Sequence, residues 1–234
     1  MIIKIKSYLQ RLIDKKSIIE CVPSPQIVKY ENWRNYLVEK MNVDGFDILE
    51  IGSREITQTS TLRHDFDKAN YVGFDYKDGN NVDVVGDAHK LTSYFKKNKK
   101  FDLIFSSATF EHFDRPWLVA EEIANLLTIG GFLFVETHFS YRTHERPWHF
   151  FLFSDMALRS LFSRKLGFEV IDCGMYNPIV GRFSALADVS LHGKRIAGMY
   201  CHSSFFGKKI EHINDFNWRD ISTSDIVNSV DYPQ

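Results

Sequence analysis

The segment that decides the fold is Phe46–Glu55, which reads FDILEIGSRE. Its apolar residues predict a short buried strand, and Gly52 predicts a tight turn directly after that strand. Glu50 is unexpected here, because a buried carboxylate costs free energy unless it has a partner. We therefore expect Glu50 to serve a ligand or a cation.

A second apolar run, Tyr71–Asp75, ends in an acid twenty-three residues after Gly52. In α/β sheets, a strand, a glycine turn and an acid at the tip of the next strand can hold a nucleoside, whose ribose hydroxyls donate to the acid. The spacing also fits an ordinary buried strand, because Gly52 stands alone and Arg54 takes the place of a second glycine.

Length and composition narrow the function classes. The chain has 234 residues, 44% hydrophobic and 25% charged, which fits one globular α/β domain with some additional segments. A net charge of −1 gives no case for a nucleic-acid partner. The three widely spaced cysteines indicate free thiols in a reducing compartment, and no apolar run is long enough for a membrane span. We expect a cytoplasmic protein.

Along the chain, strand patterns alternate with helix patterns, which predicts a parallel, doubly wound sheet. The predicted strands are 46–51, 70–75, 82–85, 101–106, 132–137, 167–171 and 195–206. The predicted helices are 2–18, 26–42, 91–97, 115–127 and 154–162, and Gly130-Gly131 is predicted to cap the fourth of them. The fold expected is α/β, Rossmann-like, with a seven-stranded mostly parallel sheet and an N-terminal helical extension.

The predicted domain organisation has three parts. They are a helical extension over 1–45, the main domain over 46–205 and a C-terminal tail over 206–234 that packs on that domain. In the first part, Ile5, Leu9, Leu12 and Ile13 recur at helical spacing between lysines and arginines. We expect an outer helix with one solvated face, and the alternative is contact with a membrane surface or a partner.

Four segments resemble class I S-adenosylmethionine-dependent methyltransferases, close to the type 11 methyltransferase domains. They are 47–52, 71–75, 84–89 and 101–131, in the order and at the spacing of that family. The fourth is the most specific, with its FDLIFS strand, its FEHF turn and its paired glycines. The tail around Phe216–Trp218 and Tyr232-Pro233 is similar to methyltransferases of surface-glycan gene clusters, which implies a role in glycan biosynthesis.

The resemblance implies S-adenosyl-L-methionine as the cofactor and assigns residues to it. Asp75 would bind the ribose hydroxyls, Asp87-Ala88 would flank the adenine, and the turn after Glu50 would face the amino-acid part of the cofactor. Ser106 and Ser107 would lie under the methionine portion and the methyl group. The full set of expected cofactor-binding residues is Glu50, Ile51, Gly52, Ser53, Arg54, Asp75, Tyr76, Gly86, Asp87, Ala88, Ser106 and Ser107. Arg54 would either pair with the cofactor carboxylate or loosen the turn.

Histidines near the predicted strand ends are candidates for removing a proton from the methyl acceptor. His112 follows the fourth strand, while His144 and His149 lie in a loop after the fifth strand, whose tip carries His138. We take His112, His144 and His149 as the catalytic candidates. Some relatives bind a divalent ion through Glu-x-x-Glu-His, but Ala108 occupies the first glutamate position, so no metal is predicted.

The acceptor itself cannot be read from the sequence. We expect a small molecule or a glycan, methylated at oxygen or nitrogen, and a homodimer is a further expectation. The aromatic residues Trp148, Phe150, Phe151 and Phe153 are predicted to close the core rather than to stack on the acceptor. Two other functions stay open: a non-catalytic methyltransferase-like scaffold, and a nicotinamide-binding enzyme that would lack its triple-glycine turn.

Overall fold

The computed structural model describes residues 2–18, 21–28, 32–56 and 62–227 of the chain. It contains one seven-stranded sheet with the strand order β3-β2-β1-β4-β5-β7-β6. The strands are β1 (Asp47–Ile51), β2 (Asn70–Asp75), β3 (Val84–Val85), β4 (Phe101–Ser107), β5 (Leu127–His138), β6 (Phe168–Arg182) and β7 (Arg195–Lys209). Only β7 runs antiparallel to its neighbours, pairing with β5 and β6. The expected mostly parallel α/β sheet is therefore confirmed.

Four α-helices accompany the sheet in the described residues. They are α1 (Ile2–Lys15), α2 (Trp33–Met41), α3 (Pro116–Leu126) and α4 (Asp155–Leu161). The segment predicted as a helix over 91–97 is instead a 3₁₀ stretch, Ala88–Tyr94, which begins at the Asp87 cap. Part of the polar segment after Gly52, and Tyr232-Pro233 in the tail, lie outside the described residues.

The predicted helix cap at Gly130-Gly131 is wrong. Helix α3 ends at Leu126, and β5 begins at the next residue, so both glycines lie within that strand. Gly130 does adopt a positive φ of 92°, the backbone conformation that glycine also takes in a left-handed helix cap. The strand is consequently twice as long as predicted and reaches from Leu127 to His138.

Apolar residues fill both faces of the sheet. One face packs against α3 and α4 through side chains such as Val119, Ile123 and Leu158, all fully buried. The other face packs against α2, where the Trp33 ring stacks on Phe134 at 4.7 Å. These layers fix the strands and leave their carboxyl ends free to carry polar side chains, which is where open α/β sheets bind ligands.

The chain before α2 is attached to β6 by backbone hydrogen bonds. Asp172 on β6 accepts through Oδ2 from three consecutive N–H groups, those of Gln26, Ile27 and Val28, at 2.9, 2.6 and 3.1 Å. Next to it, the Met175 N–H donates to the Pro23 carbonyl at 2.8 Å. One carboxylate thus holds the start of this segment against the edge strand of the sheet.

Candidate functional site

The turn after β1 brings its backbone against the end of β4. Gly52 has a φ of 84°, and a Cβ atom there would lie 2.0 Å from Thr109 Oγ1. Only glycine fits this conformation and this space. The N–H groups of Gly52 and Ser53 both donate to the Phe74 carbonyl, at 2.8 and 3.1 Å. The turn is therefore a tight one, as the sequence predicts, despite Ser53-Arg54.

Asp75 lies at the carboxyl end of β2, beside this turn. Its Oδ2 accepts from the Arg54 backbone N–H at 3.2 Å, and its Oδ1 accepts from the Lys77 N–H at 2.9 Å. The Arg54 guanidinium also lies against it, with Nε 3.4 Å from Oδ1. The turn is thus not loosened by Arg54, whose guanidinium and backbone N–H both lie against Asp75.

Glu50 is linked to the turn by hydrogen bonds through neighbouring side chains. Tyr71 Oη and Asn81 Nδ2 both donate to Glu50 Oε2, the latter at 3.1 Å, and Asn81 Nδ2 also donates to the Ser53 carbonyl at 2.9 Å. Burial raises the pKa of the Glu50 carboxyl to about 7. Glu50 therefore acts on the turn through Asn81, whereas the sequence predicts a ligand or a cation as its partner.

Asp87 and Ala88 follow β3 on the same side of the sheet. Asp87 Oδ1 accepts from the His89 backbone N–H at 3.0 Å and lies 2.7 Å from its ring Nδ1. Although desolvation opposes it, these bonds lower the pKa of Asp87, so the carboxylate stays charged. Gly86 lets the Tyr94 ring approach, because a Cβ there would lie 2.4 Å from Tyr94 Cζ.

Most of the remaining expected cofactor residues have side chains that are buried or hydrogen-bonded within the sheet, and one is exposed. Ser106 is fully buried and donates through Oγ to the Ile51 carbonyl at 2.9 Å, so it joins β4 to β1. Ser107 donates to Glu136 Oε1 at 2.9 Å. Ile51 is buried and can offer only its backbone, whereas Tyr76 is 66% exposed.

Beyond the ends of β4, β5 and β7, the structure gathers histidines from distant parts of the chain. The His144 ring lies 5.0 Å from that of His112, 4.6 Å from that of His149 and 5.6 Å from that of His138. His202 on β7 lies 5.3 Å from His138, between ring centroids. All three catalytic candidates from the sequence are thus together, and we name these five residues the histidine cluster.

Three of these rings have one nitrogen fixed by an acceptor. The Nδ1 atoms of His112 and His144 lie 2.8 and 3.1 Å from the carbonyl oxygens of Trp148 and Arg142, and His138 Nδ1 lies 2.5 Å from Glu111 Oε1. Because these oxygens only accept, each Nδ1 carries the proton in the neutral ring. The Nε2 atom of each ring is then left as the proton acceptor.

The Glu111–His138 pair is the most buried part of the cluster. Glu111 is fully buried, and its Oε2 also accepts from Thr137 Oγ1 at 2.7 Å. Desolvation is the largest single influence and raises its pKa, but the hydrogen bond and charge of His138, together with the bond from Thr137, lower it overall, which favours the carboxylate. A buried carboxylate that holds one nitrogen of a histidine is a common arrangement for a general base. Glu111-His112 and His138 are recognisable in the sequence, but the 27 residues between Glu111 and His138 hide their pairing.

The other rings are kept neutral. Burial lowers the pKa of His202 to about 4, and burial with the neighbouring His144 and His112 lowers the pKa of His149. On the neighbouring strands, Tyr176 Oη of β6 donates to Glu136 Oε2 of β5. Burial raises the pKa of Glu136 to about 7. Neither Glu136 nor Tyr176 was predicted, because their pairing joins β5 to β6 across 40 residues.

Two overlapping groups in the described residues have the ligand chemistry of a metal site. The ligand atoms of Glu111, His138 and His144 lie within 4.8 Å of one another, and so do those of His138, Cys201 and His202. Both groups share His138, whose Nδ1 is engaged by Glu111. Nitrogen, sulfur and carboxylate donors of this kind would suit Zn²⁺, but an ion at Glu111 would have to share it with His138.

The loop between β5 and α4 covers the cluster with aromatic residues. Its backbone is held by the N–H groups of Phe150 and Phe151, which donate to the Glu111 carbonyl at 2.9 and 3.2 Å. Phe153 is buried as predicted, but Trp148, Phe150 and Phe151 are 58%, 43% and 36% exposed. The core prediction is therefore wrong for three of the four rings, which face solvent beside the site.

Comparison with protein families matches residues 49–135 to the methyltransferase domain family. These residues span β1 to β5 and include Gly52, Asp75, Asp87 and Ser107. The matched part is a little over a third of the chain. A comparison with curated proteins finds no match.

The fold is shared with several solved structures. A candidate methyltransferase from Bacillus halodurans has a TM-score of 0.54 at 12% identity, over 76% of this chain and 99% of the other. The YcgJ protein from Bacillus subtilis scores 0.51 at 15% identity, over 76% and 98%. The plantazolicin methyltransferase BamL, solved with S-adenosylhomocysteine and a triazolic desmethylPZN analog, scores 0.50 at 15% identity, over 76% and 83%. The chain therefore has the α/β fold of methyltransferases, and its first five strands match the methyltransferase domain family.

Proposed function

We propose that this protein is an S-adenosyl-L-methionine-dependent methyltransferase that methylates a small-molecule or glycan acceptor. The observation that carries the proposal is the placement of Asp75 and Asp87 around the Gly52 turn, at the carboxyl ends of β2 and β3. Two acids after adjacent strands, beside a turn that only glycine fits, suit a nucleoside with its ribose and adenine. The match of residues 49–135 to methyltransferase domains supports the same cofactor.

The residues present fit this cofactor. Asp75 would accept from the ribose hydroxyls, Asp87 and the Ala88 backbone would meet the adenine edge, and the turn from Gly52 to Arg54 would face the amino-acid end. When bound, the cofactor supplies an electrophilic methyl group on a sulfonium. The chain's own contribution is then to hold the acceptor in line and to take up its proton.

For the proton we propose His138, oriented by Glu111, in place of the three histidines predicted from the sequence. His138 Nδ1 donates to the Glu111 carboxylate, so its Nε2 is free to take a proton from an acceptor hydroxyl. The positive charge formed on the ring would be balanced by Glu111, which is fully buried. This favours an oxygen acceptor over an amine that is already neutral. His112, His144 and His149 would then line the acceptor position.

The proposed acceptor site is open and aromatic. Trp148, Phe150 and the half-exposed Tyr141 lie beside the histidine cluster, with the Tyr141 ring stacked on His138 at 4.4 Å. Exposed aromatic rings beside neutral imidazoles suit a sugar or a planar hydroxylated molecule, because each ring offers a flat apolar face next to a hydrogen-bonding group. A glycan acceptor is consistent with this surface.

The second candidate function is a non-catalytic scaffold with a methyltransferase fold. The observation that favours it is Arg54, which already occupies Asp75 through both its backbone and its side chain. If this ion pair closed the nucleoside site, the chain would bind no cofactor. The two functions therefore differ in one measurable property, the affinity for S-adenosylhomocysteine.

Isothermal titration of S-adenosylhomocysteine into the wild type and Asp75→Ala tests the proposal. We expect binding by the wild type and a loss of about 100-fold or more in the variant, because two hydrogen bonds to a charged carboxylate are worth about 1.5–3 kcal/mol each. Asp78→Ala is the matched control, since Asp78 is an exposed acid whose Oδ1 accepts only from the adjacent Gly79 N–H. No binding by the wild type would favour the scaffold.

A further inference from the structure

Among its described side chains, helix α1 leaves four apolar residues in solvent. Tyr8, Leu9, Leu12 and Ile13 are 63%, 52%, 43% and 45% exposed, and their spacing places them on one side of the helix. Helix α2 shows the opposite behaviour, because its apolar residues Trp33, Leu37 and Met41 are buried. The described apolar side of α1 is thus exposed, in addition to the solvated face that the sequence predicts.

The apolar face of α1 is bordered by cations. Between residues 6 and 16 the chain has four basic residues and one acid, Asp14. The basic residues, all exposed, are Lys6, Arg11, Lys15 and Lys16. An exposed apolar stripe with lysine and arginine along its borders has the chemistry of a helix that lies in the interface of an anionic bilayer.

The position of α1 relates it to the proposed methyl-transfer site. Two residues after the helix ends, the Ser17 carbonyl accepts from the Gly198 N–H at 2.9 Å, and Ser17 is buried. Gly198 belongs to the part of β7 that extends past the last pair with β5, His138↔His202. Helix α1 is thus attached to the extension of β7 beyond the carboxyl edge of the sheet, four residues along the strand from His202.

The hairpin of β6 and β7 projects from this same edge and has a similar composition at its tip. Leu186 and Val189 are 97% and 81% exposed there. Three exposed cations accompany them, Arg182, Lys194 and Arg195. A second apolar and basic element therefore lies at the edge to which α1 is attached, although the two are far apart in sequence.

From these observations we propose that α1 and the β6–β7 tip bind the surface of an anionic lipid bilayer. The apolar residues would enter the interfacial region, and the cations would pair with lipid headgroups. Binding of this kind is peripheral and needs no spanning segment; indeed, none of the helices within the described residues could cross a membrane. The carboxyl edge of the sheet would then face the bilayer, so an acceptor held in the membrane could reach the histidine cluster.

Vesicle flotation of the full chain tests the proposal. The probes are vesicles of phosphatidylcholine alone and of phosphatidylcholine mixed with phosphatidylglycerol. We expect the wild type to float with the anionic vesicles only and to be released at about 1 M salt, where the screening length falls to about 3 Å. Absence of binding to anionic vesicles, or equal binding to both kinds, would overturn the proposal.

Variants separate the two elements from the rest of the surface. Leu9→Glu/Leu12→Glu should lower the bound fraction by about tenfold or more, and Leu186→Glu by a few-fold, because both place charge in the apolar interface. Ile129→Glu is the matched control: Ile129 is 61% exposed at the opposite, amino end of β5, so this change should leave binding intact. Equal binding by Leu9→Glu/Leu12→Glu and wild type would contradict the role of α1.

The same variants also test the alternative that a second copy of the chain covers the apolar face of α1. Light scattering of the wild type and Leu9→Glu/Leu12→Glu tests whether α1 joins two copies of the chain. A wild-type dimer that becomes monomeric in the variant, with no vesicle binding, would overturn the membrane proposal and assign α1 to a subunit interface. Titration with S-adenosylhomocysteine reports the cofactor site separately, so either proposal can fail without the other.

Discussion

The two halves of the carboxyl edge hold their acids in different ways. In the half proposed to hold the cofactor, at the ends of β2 and β3, Asp75 accepts from the backbone N–H groups of Arg54 and Lys77, and Asp87 from that of His89. In the acceptor half, Glu111 and Glu136 are buried and bonded to side chains from other strands. Asp75 and Asp87 therefore stay partly accessible to a ligand. Glu111 and Glu136 are enclosed, so they act through the side chains to which they are hydrogen-bonded.

We expect this difference to separate effects on cofactor affinity from effects on the reaction rate. A substitution in the cofactor half should change affinity for S-adenosylhomocysteine, as tested above with Asp75. A substitution in the acceptor half should leave that affinity unchanged and alter the rate or its pH dependence. The predictions below test this separation in order of decreasing effect.

The largest effect is expected from His138→Ala, with the rate of methyl transfer to an acceptor identified by a radiolabel screen as the measurement. Loss of a general base lowers kcat by about 10²–10⁴-fold. Glu111→Gln should cost less, because the ring would remain but lose its orienting charge. The affinity for S-adenosylhomocysteine should not change in either variant, and His64→Ala, an exposed histidine outside the cluster, is the control.

The same assay distinguishes a base from a metal ligand. Because His138 Nδ1 and Glu111 Oε1 are already bonded to each other, we expect no metal requirement. Wild-type activity should therefore survive dialysis against EDTA. If EDTA abolished the activity and Zn²⁺ restored it, the groups around His138 would be metal ligands, and the base assignment would be wrong.

The next effect concerns stability. Burial raises the pKa of Glu136 from 4.5 to about 7, so the folded state binds more protons than the unfolded state in this window. The free energy of unfolding should then fall as pH rises from 4.5 to 7, by about 3 kcal/mol for this group, and be flat above. Glu136→Gln should remove this part of the slope, as measured by urea unfolding between pH 5 and 8.

Two further variants complete this measurement. Glu50 has a pKa raised in the same direction to about 7, so adding Glu50→Gln should remove a second contribution that falls as pH rises. Glu169→Gln, at an exposed position on β6, should keep the full wild-type slope. A Glu136→Gln profile that parallels the wild type would mean that Glu136 ionises in the folded protein as it does in water.

The smallest effect is expected at Arg54. Its guanidinium pairs with Asp75 at 3.4 Å, and a partly exposed ion pair is worth about 0.2–1 kcal/mol. Arg54→Ala should therefore tighten binding of 5′-methylthioadenosine, which lacks the amino-acid group, by about 1.5–5-fold in calorimetry. Weaker binding of S-adenosylhomocysteine by the same variant would show that Arg54 moves to the cofactor carboxylate, and Lys77→Ala serves as the control.

The cofactor half was predictable because its signals are local. The pattern around Gly52 and the acid at Asp75 each fall within a single strand and turn, and the structure places both as expected. The Gly130-Gly131 prediction failed for a related reason: a positive φ at Gly130 identifies the residue's conformation but not whether a helix or a strand contains it.

The acceptor half could not be assembled from the sequence. The bond from Glu111 to His138 spans 27 residues, and the bond from Tyr176 to Glu136 spans 40. The first depends on the register of the parallel pair β4 and β5, and the second on the insertion of β7 between β5 and β6. The sequence marks the histidines as candidates, but the buried Glu111–His138 pair can be identified only once the strands are placed.

The attachment of the N-terminal segment also has a mechanical consequence. A pull on α1 would reach the folded body through the Ser17–Gly198 bond, the Pro23–Met175 bond and the three N–H groups held by Asp172. All of these end on β6 or β7, at the far edge of the sheet from β2 and β3. Force on a tethered molecule would thus load the hairpin first and leave the turn at Gly52 undistorted.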